Sequence, residues 1–164
     1  MIKAFGVVLP FLLSLILVDT NPGGGALPEP ERSERVRRRV EAIDTLSVRE
    51  LARRRAPQLV RADAPPELVA ELEDIMAEVR PAGYRAAALA LGATDLTARL
   101  PSIDVPTLVV HGADDEVVPL ATARAMVSAI PGAQLVILDG AGHVSNQEQP
   151  DAFNAAVRRF LASV

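Results

Sequence analysis

Three short runs of uninterrupted apolar residues punctuate the chain. Leu15-Ile16-Leu17-Val18 is β-prone and ends in the turn formers Asp19, Thr20, Asn21 and Pro22. Thr107 to His111 and Gln134 to Leu138 have the same character. Apolar runs of this length, bounded by turn signals, predict strands buried on both faces of a parallel sheet. Each of the last two runs is followed by a Gly-containing loop and then by a helical pattern. Pro119 predicts a helix start closed by Pro131-Gly132. Pro150 predicts a final helix with Phe153, Val157, Phe160 and Leu161 on its core face. The order β-loop-α-β-loop-α predicts an α/β layered sheet.

Between the first run and the second, the pattern becomes helical. Glu31 to Ala42 reads as a helix with acids early and arginines late, matching the helix dipole. Ser47 and Glu50 form a capping-box pattern for a helix to Arg55, which Pro57 ends. Pro65-Pro66 starts a third helix with Leu68, Leu72, Ile75, Met76 and Val79 on one face. Pro81 to Leu91 is a fourth, with Gly92 as its stop. Residues 29–80 hold 11 of the 17 basic and 12 of the 21 acidic residues, so the signs nearly cancel. Arg37-Arg38-Arg39 and Arg53-Arg54-Arg55 therefore read as solvated helix faces rather than a nucleic-acid patch.

Composition narrows the function classes. The chain has 164 residues, 49% of them hydrophobic and 23% charged, too apolar for a disordered chain. It has no cysteine, which excludes disulfides and thiolate metal sites. Two histidines, His111 and His143, leave little for a metal cage, and neither a metal nor a cofactor is expected. A net charge of -4 and 3% aromatic residues give no footprint for nucleic acid. Ala4 to Val18 carries no charge after Lys3 and has two readings. One is a core strand near 15–18 in a cytoplasmic protein. The other is a secretory signal or anchor over residues 1–18, with a small-residue cleavage site at Gly24-Gly25-Ala26; the segment is short for a membrane span.

The chemistry sits in the two loops that follow the last strands. Right-handed crossovers bring both loops to one sheet edge, where sites form in open α/β sheets. One loop carries Asp114, Asp115 and Glu116; the other carries His143, with Gly140 and Gly142 allowing a tight turn. A carboxylate bonded to one imidazole nitrogen fixes the tautomer and leaves the other nitrogen free as a base. That pairing is the acid–histidine half of a nucleophilic triad.

These residues carry a family resemblance. The run from Val105 to Pro119, with VHGADDEVVP, resembles the acid-bearing strand and loop of the α/β-hydrolase superfamily. Ile130-Pro131-Gly132-Ala133 through Gly140-Ala141-Gly142-His143 is similar to its last strand and histidine loop. Asn146 to Pro150 with Phe153 resembles the start of its last helix, and LILVDTNP over Leu15–Pro22 resembles the strand after its nucleophile helix. Ala64-Pro65-Pro66-Glu67-Leu68 and Pro81-Ala82-Gly83-Tyr84 look most like esterase and 3-oxoadipate enol-lactonase members. The resemblance implies three regions: an apolar N-terminal segment with its strand over 1–28, a helical cap (lid) over 29–100, and a β-α-β-α portion of the hydrolase core over 101–164. It implies ester or lactone hydrolysis through an acyl-enzyme on a small-molecule substrate. The family spacing of Gly, two residues, Asp, then Pro four further on selects Asp115 as the acid, from Gly112 and Pro119, with Asp114 one position short. His143 would be the base. His111 falls where the family has no catalytic group and is expected to be a satisfied structural histidine.

The resemblance stops at the nucleophile. The family places it in G-x-S-x-G on a strand-to-helix turn. None of Ser14, Ser33, Ser47, Ser102, Ser128, Ser145 and Ser163 has those glycines, and Asp19, a position for an aspartate nucleophile, lacks them too. The expectation is an incomplete, truncated α/β-hydrolase fold, inactive alone, with an unpaired sheet edge open to self-association. A non-catalytic small-molecule or partner-binding protein, and a small secreted or anchored protein, are the other two classes.

Overall fold

The computed structural model describes residues 12–164. Three parallel strands, β1 (Leu15–Val18), β2 (Thr107–Gly112) and β3 (Gln134–Leu138), form one sheet in that order. Val18 stands opposite Val110, and Gly112 opposite Leu138. Because side chains alternate along a strand, β2 feeds two cores. Val109 packs with Leu100, Ala123, Met126 and Ile130 on one face. Leu108 and Val110 pack with Leu138, Ala141 and Phe160 on the other. Every residue of β2 is buried, which is why its sequence does not alternate. The helices α5 (Leu120–Ala129) and α7 (Pro150–Leu161) cover the two faces, and a single-turn α6 (Ser145–Glu148) precedes α7.

The segment between β1 and β2 is helical. It contains α1 (Glu31–Thr45), α2 (Val48–Arg55), α3 (Pro66–Ala77) and α4 (Pro81–Ala93), with 3-10 turns at Ala56–Gln58 and Thr97–Ser102. α1 packs on α4 and α2 on α3. No helix among the described residues is long and apolar enough to cross a membrane. Leu15–Val18 is a strand; most of the signal or anchor reading falls on residues 1–11, outside the described residues.

Several expectations are corrected by packing. Gly92 lies inside α4 rather than stopping it, and Thr94 is the C-cap. A Cβ at Gly92 would come within 2.2 Å of Val36 Cγ2, so the glycine lets α1 and α4 approach closely. That contact offsets the helix cost of glycine, about 1 kcal/mol. α1 runs on to Thr45 with no basic residue in its last turn. Arg37 and Arg38 sit mid-helix in lateral pairs, Arg37 with Glu34 and Glu41 and Arg38 with Glu34. Only half of the capping box forms. Ser47 Oγ accepts the Glu50 N–H at 3.2 Å, but the Glu50 carboxylate pairs with Arg54. The helix α2 does end at Arg55, as expected, and the chain passes Pro57 in a 3-10 turn over Ala56–Gln58. Pro119 is the N-cap of α5 rather than its first residue.

The apolar faces are narrower than their patterns. In α3 Leu72 is buried, Ile75 is exposed, and Val79 lies past the helix end. In α7 Phe160 is buried while Leu161 is exposed. β3 is only partly buried, with Gln134 exposed, because it forms a sheet edge among the described residues. β1 forms the other edge, and its four apolar residues are half-buried.

Candidate active site

Parallel pairing of β2 and β3 places the loops that leave them side by side. The Ala113 N–H donates to Leu138 O and the Asp114 N–H to Ala141 O, each at 2.9 Å. This contact has no room for a side chain at the end of β2. A Cβ on Gly112 would stand 2.1 Å from Gly142 O and 2.4 Å from Ala141 O. Gly140 takes φ +69°, the left-handed turn anticipated for this loop. Gly142 has no positive φ; its use is close approach to Val60, Arg61 and Glu148.

Asp115 and His143 meet across these loops. His143 Nδ1 and Asp115 Oδ2 are 2.9 Å apart. The other carboxylate oxygen, Oδ1, accepts the N–H groups of Val117 at 2.8 Å and Val118 at 2.9 Å. The Asp115 side chain is fully buried, whereas the His143 ring is 24% exposed. Burial pushes the Asp115 carboxyl up, but the hydrogen bonds from His143, Val118 and Val117 and the His143 charge outweigh it. The carboxyl is held below its usual value. A carboxylate only accepts, so Nδ1 carries the proton and Nε2 of the neutral ring keeps a lone pair. Nε2 has no hydrogen-bond partner among the described residues. The His143 N–H donates to Leu59 O at 2.9 Å, pinning the loop to the turn after α2. Asp114 and Glu116 are exposed; Asp114 lies 3.7 Å from Arg61.

The bracing role of two carboxylates escaped the sequence reading. Asp19, just past β1, is buried at φ 42°. Its Oδ1 accepts the Gly112 N–H at 2.8 Å and its Oδ2 the Ser145 N–H at 2.9 Å. It thus ties β1 to the start of the acid loop and to the end of the histidine loop. An aspartate directly after a fully apolar strand was the available signal, since aspartate tolerates the left-handed region. Glu148 has a similar bracing role further out, accepting the Gly142 N–H at 2.6 Å and the Arg61 N–H at 2.9 Å. Ser145 is fully buried, and what it gives this network is its backbone N–H.

His111 is only half satisfied. Its Nε2 lies 3.1 Å from Val118 O, so it donates there, while Nδ1 has no partner among the described residues and stands 3.9 Å from Asp19 Oδ1. Asp19, His111 and Asp115 each bring one ligand-type atom within 4.8 Å of the others. As a metal cage the set is poor, because all four carboxylate oxygens already accept N–H groups and His111 Nε2 is spent on a carbonyl.

A three-stranded parallel sheet with helices on both faces carries, at its carboxyl edge, a buried aspartate that holds a part-exposed histidine. Known proteins share this fold. Residues 4–156 match the model of the alpha/beta hydrolase family, and the chain belongs to that family. It is 38% identical over 96 residues to 3-oxoadipate enol-lactonase 2 of Acinetobacter baylyi, covering 58% of this chain and 36% of that relative. It superposes on an esterase from Thermogutta terrifontis with a TM-score of 0.84 at 30% identity, covering 96% of this chain and 58% of the esterase. The enol-lactonase of Burkholderia xenovorans LB400 gives 0.82 at 30% identity, covering 92% and 56%. The chain therefore spans about a third of that curated relative and little more than half of each structure.

Proposed function

We propose that this chain supplies the acid and the base, Asp115 and His143, of an ester or lactone hydrolase, and that the nucleophile comes from outside residues 12–164. The observation that carries the reading is the 2.9 Å contact between the buried Asp115 carboxylate and Nδ1 of a histidine whose Nε2 is left free. His143 would take the proton of an attacking hydroxyl at Nε2 and return it to the leaving alcohol. It would then activate water against the acyl-enzyme. Asp115 would hold the ring and stabilise the imidazolium formed at each step. Residues 29–100, with α1 to α4, would act as the cap that shapes the substrate pocket.

Two features support an outside nucleophile. The sequence has no G-x-S-x-G. The strand β1 is wholly apolar, yet half-buried and paired only with β2 among the described residues. An apolar strand of that kind suits the interior of a wider sheet, and its open edge would also favour self-association.

The chain assayed alone against p-nitrophenyl acetate should match background. Co-expression with a fragment of a family member that carries a G-x-S-x-G elbow should give turnover that His143→Ala removes. Turnover by the chain alone that is lost in His143→Ala would contradict the outside nucleophile. Turnover of the pair that survives His143→Ala would contradict the role of the histidine.

A further inference from the structure

A cavity of about 650 Å³ opens between α1, α2, α4 and the acid loop, a volume typical of small-ligand sites. Five guanidinium groups line it, from Arg35, Arg38 and Arg39 on α1 and Arg54 and Arg55 on α2. Glu116 is the one acidic residue in the lining.

The five arginines are not equivalent. Arg35 lies 3.8 Å from Glu31, Arg38 2.9 Å from Glu34 and Arg54 2.8 Å from Glu50. These three are exposed surface pairs. Arg39 and Arg55 are half-buried and have no carboxylate within 4.0 Å among the described residues. The Arg55 guanidinium donates to the Gln58 amide oxygen instead, at 2.8 Å. Its burial and the charges of Arg39 and Arg35 push it below the usual arginine value. Half-buried like charges without a counter-ion are costly, and an anion between them removes that cost.

The rest of the lining tells what kind of anion. Ala42, Leu46, Leu51 and Val117 give an apolar wall, and Tyr84 adds a phenol. A bare inorganic ion would have no use for that wall. A guanidinium fork also matches a carboxylate in two parallel hydrogen bonds. The cavity reaches the acid loop as well, because Val117 both lines it and donates its N–H to Asp115.

We propose that this cavity binds a small organic acid, with its carboxylate between Arg39 and Arg55 and its hydrocarbon portion on the Leu46–Leu51 wall. Placed there, the substrate class of the site becomes esters or lactones that carry a free carboxylate. That last step rests on the hydrolase reading above; the binding itself does not.

Calorimetric titration of the intact chain with hexanoate, its neutral analogue hexanamide and inorganic phosphate, at fixed ionic strength, tests it. Hexanoate should bind about tenfold tighter than hexanamide, as one charge-assisted hydrogen-bonded pair predicts, and tighter than phosphate. Arg39→Gln and Arg55→Gln should each weaken hexanoate by about tenfold, and Arg124→Gln on α5 should leave it unchanged. The two arginines stand on different helices, so loss of the fold in one variant leaves the other to decide. Equal binding of hexanoate and hexanamide, tighter binding of phosphate, or full affinity in a folded Arg39 or Arg55 variant would overturn the proposal. No turnover enters the titration, so failed hydrolysis leaves this result readable, and failed binding leaves the acid–histidine reading untouched.

Discussion

The Oδ2 atom of Asp19 accepts the backbone N–H of Ser145 at 2.9 Å, joining the end of β1 to a loop 126 residues later. The second oxygen takes the Gly112 N–H, so one buried carboxylate fixes both ends of the arrangement that presents Asp115 and His143. Asp19→Ala would leave two buried N–H groups without acceptors. A loss of about 2–3 kcal/mol is expected from charge-assisted bonds of this kind, read as a lower urea midpoint at unchanged slope. Wild-type stability in this variant would remove Asp19 from the framework.

Acid should act on Asp115. Its carboxyl is held below the usual value in the folded chain. A group depressed in this way stabilises the fold above its unfolded pKa, about 3.9 for aspartate, and that contribution is lost as pH falls through the lower folded value. Urea midpoints measured from neutral pH downward should fall in this acid window. Asp115→Asn should be less stable at neutral pH and should show a shallower fall. A parallel acid profile in the variant would contradict the linkage.

Two glycines should respond in opposite directions. Gly112→Ala brings a methyl against Gly142 O and Ala141 O and must separate the two loops. A cost of about 1–3 kcal/mol is expected, together with loss of the Asp115–His143 contact. Gly83 lies in α4 with nothing within 4 Å of its would-be Cβ. Gly83→Ala should therefore stabilise by about 0.4–1 kcal/mol. Thermal melts of the two variants check both signs.

The features that the chain wrote locally were legible in its sequence. LILV, TLVVH and QLVIL became the three strands, and the loops after the last two brought an aspartate and a histidine together. Errors arose where a distant partner decided the outcome. Gly92 reads as a helix stop until Val36 is known to lie against it. Ile75 and Leu161 fit the apolar periodicity, yet about half of each stays exposed, 51% and 49%. Asp19 looks like a turn residue because both of its partners come from elsewhere in the chain, Gly112 and Ser145. The arginine cavity was invisible for the same reason: its groups come from two helices, and the surplus of charge exists only where they face one another.

The chain has two histidines, and their hydrogen bonds give them opposite tautomers. His143 holds its proton on Nδ1, bonded to Asp115, and keeps Nε2 bare as the base; His111 holds its proton on Nε2, bonded to Val118 O. Long-range proton–nitrogen NMR of the imidazoles in mildly alkaline solution reads both directly. The expected spectrum shows a protonated Nδ1 on His143, a protonated Nε2 on His111, and loss of the His143 preference in Asp115→Asn. A neutral His143 protonated on Nε2 in the wild-type chain would contradict the acid–base pairing on which the proposed function stands.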